Sequence, residues 1–448
     1  MANGERAARW ERLLTTSRLF HEDDGSGPTE GRSEFERDHD RVVFSSAFRR
    51  LKDKTQVFPL SPTDYTRTRL THSLEASCVG RSLGSLAALV LRRTGRCAPD
   101  VDISTLVATA CLAHDIGNPP FGHSGEDAIG RWAEGRRALL DLSEQEHRDV
   151  AGFEGNAQGF RIMARLQNRL RRGGIRPTLA LLGAMTKYPR NSSPSRPPTE
   201  GRASEKKYGY FQDDAEAALQ TFKGLGLVER APGLFARHPL AFLTEAADDI
   251  CYVVMDLEDA FKLKIVSFSD ARELLHSLVA EPKEPQGEYR ASSDIARLRA
   301  AAVHSLTMAC ARAFEENLDE IEEGRFDVPL ITVTPFAKRH KDLKAFEQKH
   351  VYTHERVLQI EYAGYKTIGG LLDMFGEAAV AEAPTRQQEK LLMLLPEDLF
   401  DRPGIPMGNR LALSRYQRVL AVTDFVSGMT DSYAVELYQR LSGIQLPT

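Results

Sequence analysis

The chain has 448 residues, 42% apolar and 27% charged, an ordinary globular balance that excludes a disordered, collagen-like or membrane-bundle chain. Acids outnumber bases by 63 to 59, for a net charge of −4 and a pI of about 6.3. No global positive field draws nucleic acid or anionic lipid, so a site for anions needs a local basic pocket.

The first residues, MANGERAARWERLL, are charged and hold no apolar run, so no signal peptide is expected. Five scattered cysteines without a CxxC point to reduced thiols in a cytoplasmic protein. Helical periodicity then dominates the chain. The expected fold is all-α, with at most a small β element, and residues 325–333 (RFDVPLITV) are the candidate for a strand or two. Stretches 21–33, 190–205 and 281–293 are rich in Gly, Pro, Ser or charge and are predicted loops, the second of them mobile. The division that follows is an N-terminal arm over 1–40, a helical core over 41–270 and a helical C-terminal part over 271–448. The most apolar run, 83–91, is far shorter than the roughly 20 residues a membrane span needs.

Chemistry-bearing residues appear in order along this framework. His72 opens a long helix with apolar positions at 74, 79, 83, 86, 87 and 90, where the macrodipole favours the neutral imidazole that a metal ligand requires. An apolar helix over 104–117 ends at a glycine, with His114 and Asp115 in its last turn. An imidazole and a carboxylate there suit a borderline or hard divalent ion; the alternative is an imidazole that merely stabilises a helix C-terminus. A second pair, His39-Asp40, sits in a charged stretch with no helix expected to deliver it. In 118–129 (NPPFGHSGEDAI) a turn leads into a helix beginning near His123 or Ser124. That places His123 and Glu126 on one face, as a proton-transfer group with its orienting acid or as a capping arrangement. Across 242–261 an apolar stripe faces one way, and Asp248, Tyr252 and Asp256, at i, i+4 and i+8, face the other together with Asp259. This is either a solvated acidic face or a site with a metal at one end and a hydroxylated ligand at the other.

His72, His114-Asp115 and a later single Asp, in that order, resemble the signature of the HD superfamily of metal-dependent phosphohydrolases. Within it the chain resembles the bacterial deoxyguanosine triphosphate triphosphohydrolases. The strings that carry the likeness are FRRLKDKTQVFP (48–59), RTRLTHSLE (67–75), HDIGNPPFGHSGE (114–126), FEGNAQGFRI (153–162), TKYP (186–189), KYGYF (207–211), LTEAADDICY (243–252), DLEDA (256–260) and SGMTDSYA (427–434). They run in order over most of the chain from about residue 41.

The resemblance implies an HD-domain core with His72, His114, Asp115 and Asp248 as ligands of a divalent metal, with Mn, Mg, Fe, Co and Ni all compatible. It implies His123 with Glu126 as the proton-transfer pair, Tyr252 against a deoxyribose and Asp256 on its 3′-hydroxyl. Gln56, Arg69, Lys187, Tyr188 and Lys207 are implied as further substrate-binding residues, with Arg415 and Arg418 as less securely aligned additions. The implied reaction is hydrolysis of deoxynucleoside triphosphates, dGTP favoured, to deoxynucleoside and inorganic triphosphate. An HD-type nucleotidase or phosphodiesterase, or a non-catalytic deoxynucleotide or single-stranded DNA sensor, are the alternatives. A homo-oligomer, with a hexamer compatible, a deoxynucleotide or single-stranded DNA effector, and no membrane association complete what the likeness implies.

Overall fold

The computed structural model describes residues 3–20, 31–57, 66–170, 172–282 and 290–445. It is helical, as the periodicity predicts. In chain order the helices used below are α1 (Asn3–Leu13), α2 (Glu34–Val43), α3 (Arg69–Arg93), α4 (Ile103–Ala113), α5 (His123–Gly135), α6 (Gly155–Ala164), α7 (Leu179–Met185), α8 (Ala241–Lys262), α9 (Ala291–Glu316), α10 (Ala337–His350), α11 (Glu355–Val380), α12 (Arg415–Ser427) and α13 (Asp431–Leu441). The helix starts follow local capping chemistry. Thr68 and Thr71 form a reciprocal capping box at α3, and the Asp102 carboxylate accepts from Thr105 N at 3.0 Å at α4.

Two hydrophobic clusters organise these helices. In one, α3 lies along α4, and α8 packs on α3 and α9. In the other, α11 packs against α5 and α12 around Trp132, Phe375 and Val419. The turn between α4 and α5 joins the two clusters. Everything described below as the site lies at or near this seam.

Several expectations change. Residues 325–333 form no strand: Pro329 breaks the alternation and Leu330–Val333 closes into a 3-10 turn that buries Leu330 and Ile331. The only strands among the described residues are β1 (Glu229–Ala231) and β2 (Leu234–Phe235), an antiparallel hairpin turned by Pro232 and Gly233, with Gly233 at φ +74°. His39-Asp40 does lie on a helix, α2, but there it is partly exposed with Arg32 bonded to Asp40. The loop 190–205 is irregular yet pinned: the buried Glu205 carboxylate accepts from Arg196 at 2.9 Å and from Thr199 N at 2.7 Å. Most of the predicted loops at 21–33 and 281–293 lies outside the described residues, although 291–293 already belong to α9. Helix α3 is long and apolar enough by length and composition to cross a membrane, which the run 83–91 did not suggest. In the fold it is a core helix packed on α4 and α8. All five cysteines are free.

Candidate functional site

Three helices converge on one point. His72 lies in the first turns of α3, His114 caps the end of α4 with Asp115 following it, and Asp248 sits midway along α8. One donor atom each from His72, His114 and Asp115 lies within 4.8 Å of the others. Asp248 completes the group from α8: its Oδ1 is 3.2 Å from His72 Nε2 and 3.4 Å from His114 Nε2.

The residues present fit a divalent ion. His114 Nδ1 donates to the Cys111 carbonyl at 2.6 Å, which orients the ring so that Nε2 faces the carboxylates and becomes the ligating nitrogen once it loses its proton. That Nε2 is buried without a hydrogen-bond partner among the described residues. Two imidazoles and two carboxylates around an orphaned ring nitrogen form a donor set for a borderline or hard cation. The electrostatics show a centre whose carboxylates call for positive charge, met by a proton on His114 that a bound ion would displace. Burial alone would lower the His114 pKa, but Asp115 and Asp248 carry it up to about 9. Burial opposes ionisation of Asp115, yet Arg69, His114 and His72 hold it down to about 2. Asp248 is likewise ionised despite burial, held well below the usual carboxylate range by Lys187 and His114.

The sequence-predicted substrate residues surround this group. A single cavity is lined by Gln56, Arg69, Lys187, Tyr188, Lys207 and Tyr252 along with His114, Asp115, Asp248, His123 and Glu126. Arg69 Nη1 bonds Asp115 at 2.7 Å, Lys187 Nζ bonds Asp248 at 2.7 Å, and Lys207 Nζ bonds Glu154 at 2.9 Å. Gln56 Oε1 is buried with no donor among the described residues. These are cations and a polar group held ready, although both lysines already neutralise protein carboxylates. Asp249, next to Asp248, points away to Lys344 at 3.0 Å.

The turn that carries His123 is tightly specified. Phe121 and Gly122 both have positive φ, +62° and +59°. The positive φ at Gly122 is one that residues with a side chain rarely adopt, and a Cβ there would also have to displace Arg69 Nη2, 2.6 Å away. His123 is solvent-accessible. Although one side of the residue is open, protein packed around the ring, with Arg69 and Lys207 nearby, lowers its pKa, so the neutral ring prevails at neutral pH. Glu126 shares its helix face but is spoken for otherwise: Oε1 accepts from Gly155 N at 2.7 Å, and no His123–Glu126 hydrogen bond occurs among the described contacts. Burial and the neighbouring Glu154 raise the Glu126 pKa to about 7.

Asp256 and Asp259 do not form a solvated face; both are buried. Asp259 is an ion-pair partner of Arg67, which also bonds Glu258 at 2.6 Å. Asp256 is not in the cavity lining and instead accepts from Tyr352 OH at 2.8 Å. Tyr352, after α10, also faces Tyr252, with ring centroids 5.9 Å apart. Arg415 and Arg418 lie away from the cavity. Arg418 reaches the Val380 carbonyl, and Arg415 approaches Asp141 at 3.7 Å.

Sequence reasoning missed five neighbours: Tyr352, the buried Glu347, Asn118, Glu154 and Asn156. Asn118 donates to Asp115 at 2.5 Å, and Glu154 anchors Lys207. Asn118, Glu154 and Asn156 lie inside or beside the quoted strings, so spacing from Asp115 and Lys207 was the available signal. Nothing local marks Glu347 or Tyr352, which meet Asp256 from about a hundred residues away.

Residues 69–171 match the HD domain, and residues 332–440 match the phosphohydrolase-associated domain. A deoxyguanosinetriphosphate triphosphohydrolase-like protein of Synechocystis is 40% identical, over 98% of this chain and all of its own. One of Pseudomonas aeruginosa is 39% identical over the same shares. A deoxyguanosinetriphosphate triphosphohydrolase of an Enterobacter species is 31% identical over 92% of this chain and 94% of its own. With a centre built from an HD helix pair and α8, and full-length likeness at these identities, the chain belongs to the family of HD-domain deoxyguanosinetriphosphate triphosphohydrolases and their like proteins.

Proposed function

We propose that the protein hydrolyses deoxynucleoside triphosphates, dGTP by preference, to deoxynucleoside and inorganic triphosphate in a metal-dependent reaction. The observation that carries this reading is the single cavity in which His114, Asp115 and Asp248, backed by the buried His72, meet Arg69, Lys187, Lys207, Gln56 and Tyr252. A divalent ion held by these four ligands would supply Lewis acidity toward the α-phosphate and acidify a water.

The chain's own residues do the rest. Arg69, Lys187 and Lys207 gather the anionic phosphates and neutralise the negative charge on the triphosphate group as its α-phosphorus is attacked. Water adds to the α-phosphorus, the bond from phosphorus to the sugar 5′-oxygen breaks, and that oxygen leaves as the deoxynucleoside hydroxyl. His123, neutral at the start, takes the water proton and returns it to the 5′-oxygen. Tyr252 lies flat against the deoxyribose, where a 2′-hydroxyl would collide. Gln56 Oε1 accepts from the sugar hydroxyl, and Asp256, which lies outside the cavity lining, reaches the 3′-hydroxyl only if Tyr352 gives up its bond to it as the sugar enters. Glu126 positions the turn through Gly155 instead of orienting His123 directly. We also assign a cytoplasmic homo-oligomer, for which exposed apolar side chains such as Met393, Leu394 and Met407 offer contact surface.

The test is phosphorus NMR of the products from manganese-loaded protein with each of the four deoxynucleoside triphosphates, alone and mixed. Intact triphosphate with free deoxynucleoside, fastest from dGTP, is the expected result. Orthophosphate or pyrophosphate would move the protein to the nucleotidase class, and binding without turnover in any mixture would make it a sensor.

A further inference from the structure

A second cavity, of about 370 Å³, lies beyond the far end of α6, walled by residues 402–405 and the start of α12. It takes no part in the proposed reaction. Four arginines line it, Arg165, Arg169, Arg172 and Arg402, against two carboxylates, Asp214 and Glu216. Both carboxylates are already engaged. Asp214 pairs with Arg161 at 3.0 Å and Arg165 at 2.8 Å, and Glu216 pairs with Arg172 at 2.5 Å.

That leaves Arg169 and Arg402. Arg169 donates from Nη1 to the Leu399 carbonyl at 3.2 Å, and the acid nearest it, Asp424, is 3.9 Å away and is held by Arg161 at 2.8 Å, so its charge has no close carboxylate of its own. Arg402 is 4% exposed and spends Nη1 on the carbonyl of Asp401, 3.1 Å away. Its Nε and Nη2 are buried with no hydrogen-bond partner among the described residues. Burial and the charge of Arg161 push Arg402 down to about 10, and burial also lowers Arg169. A buried guanidinium with two idle nitrogens is costly unless an anion completes it. The planar fork matches phosphate geometry, and one phosphoryl group has enough acceptor oxygens to serve two arginines together.

We propose that this cavity binds a phosphoryl-bearing anion, with Arg402 and Arg169 as its principal donors. The rim arginines Arg165 and Arg172 add attraction while keeping their own carboxylates. Free phosphate and the phosphate of a nucleotide share this chemistry, and the cavity has room beyond a single phosphate group. The proposal does not depend on the catalytic reading.

Calorimetric titration of the full chain tests it, with inorganic phosphate in one arm and a deoxynucleoside 5′-monophosphate in the other. Wild-type protein is compared with Arg402→Gln, Arg169→Gln and Lys187→Gln. Each of the first two variants should weaken binding by about tenfold to a hundredfold, the size of a lost charge-assisted hydrogen bond. Lys187→Gln, in the catalytic cavity, should leave this component in place. Nucleotide bound more tightly than phosphate in an Arg402-dependent way identifies the nucleotide as the ligand, and equal affinity identifies free phosphate. Should Arg402→Gln fail to fold by circular dichroism, Arg169→Gln and the rim variant Arg172→Gln carry the comparison. No binding to wild-type protein in either arm, or binding lost in Lys187→Gln and kept in the arginine variants, overturns the proposal.

Discussion

His123 and Glu126 share a helix face, but their surroundings push them in opposite directions. Burial lowers the imidazole, with Arg69 and Lys207 adding to it, whereas burial and Glu154 raise the carboxyl to about 7. If His123 moves the proton, His123→Ala should lower kcat by about a hundredfold to ten-thousandfold with little change in KM. Steady-state kinetics decide this, and a wild-type kcat would remove His123 from the reaction. Glu126 makes a separate prediction, about stability. Its folded pKa lies above the unfolded value, so between roughly pH 4.5 and 7 the native state holds a proton that the unfolded chain releases. Stability from this group is complete below that window and is lost as pH rises through it. Glu126→Gln should flatten the loss in thermal melts across the window, and an unchanged slope would mean that the carboxyl is not raised. The dipeptide His114-Asp115 and the spacing His123-Glu126 were legible in the sequence because helical geometry converts spacing into direction. What spacing did not convey was the partner: Glu126 bonds Gly155, and Asp256 bonds Tyr352. Such bonds depend on which other helix arrives, and a local pattern does not encode that.

At the scale of elements, the turn before α5 is gripped from the far end of the chain. The Asp431 carboxylate, at the start of α13, accepts from Phe121 N at 3.0 Å, from Thr55 N at 3.0 Å and from the Thr55 hydroxyl at 2.5 Å. Beside it Lys54 donates to the carbonyl of Asn118 at 2.6 Å and to that of Ser427 at 2.8 Å. The α12–α13 junction thus holds the left-handed Phe121-Gly122 step that delivers His123. Asp431→Ala should strip these donors of their acceptor and cost about 1–3 kcal/mol. It should also lower kcat, because His123 loses its placement, while manganese affinity stays near wild type, because no metal ligand is touched. Denaturant melts and manganese titration of the same variant check both halves. An equal fall in metal affinity would show that the clamp acts on the whole centre and not on the turn. The helices themselves were readable from apolar periodicity, but residues 325–333 were not. Their alternation reads as a strand, but Pro329 interrupts it and the segment buries Leu330 and Ile331 through a 3-10 turn instead. The true hairpin, at 229–235, is too short to leave a periodic trace beyond its Pro-Gly turn.

Over the whole molecule, the candidate metal ligands tie together segments that lie far apart in the chain. His72, His114-Asp115 and Asp248 span α3, α4 and α8, three helices of one hydrophobic cluster, while His123 and its turn belong to the other. Asp248 lies between two imidazoles and Lys187, so the positive charge available at the centre converges on its carboxylate. An ion that binds the folded centre and not the unfolded chain must therefore stabilise the fold as a whole. At a hundred times its dissociation constant the gain is about 2.7 kcal/mol. Chelator-treated protein should thus melt at a higher temperature when manganese is restored, and the shift should grow with the logarithm of manganese concentration. Asp248→Asn keeps the shape of the side chain but removes its charge, so it should abolish most of that shift. Asp249→Asn, one residue on and paired with Lys344 on the other side of α8, should keep it. Equal shifts in the two variants would place the ion elsewhere and undo the assignment of Asp248. A shift lost only in Asp248→Asn would tie metal, helix convergence and fold stability to the same four side chains.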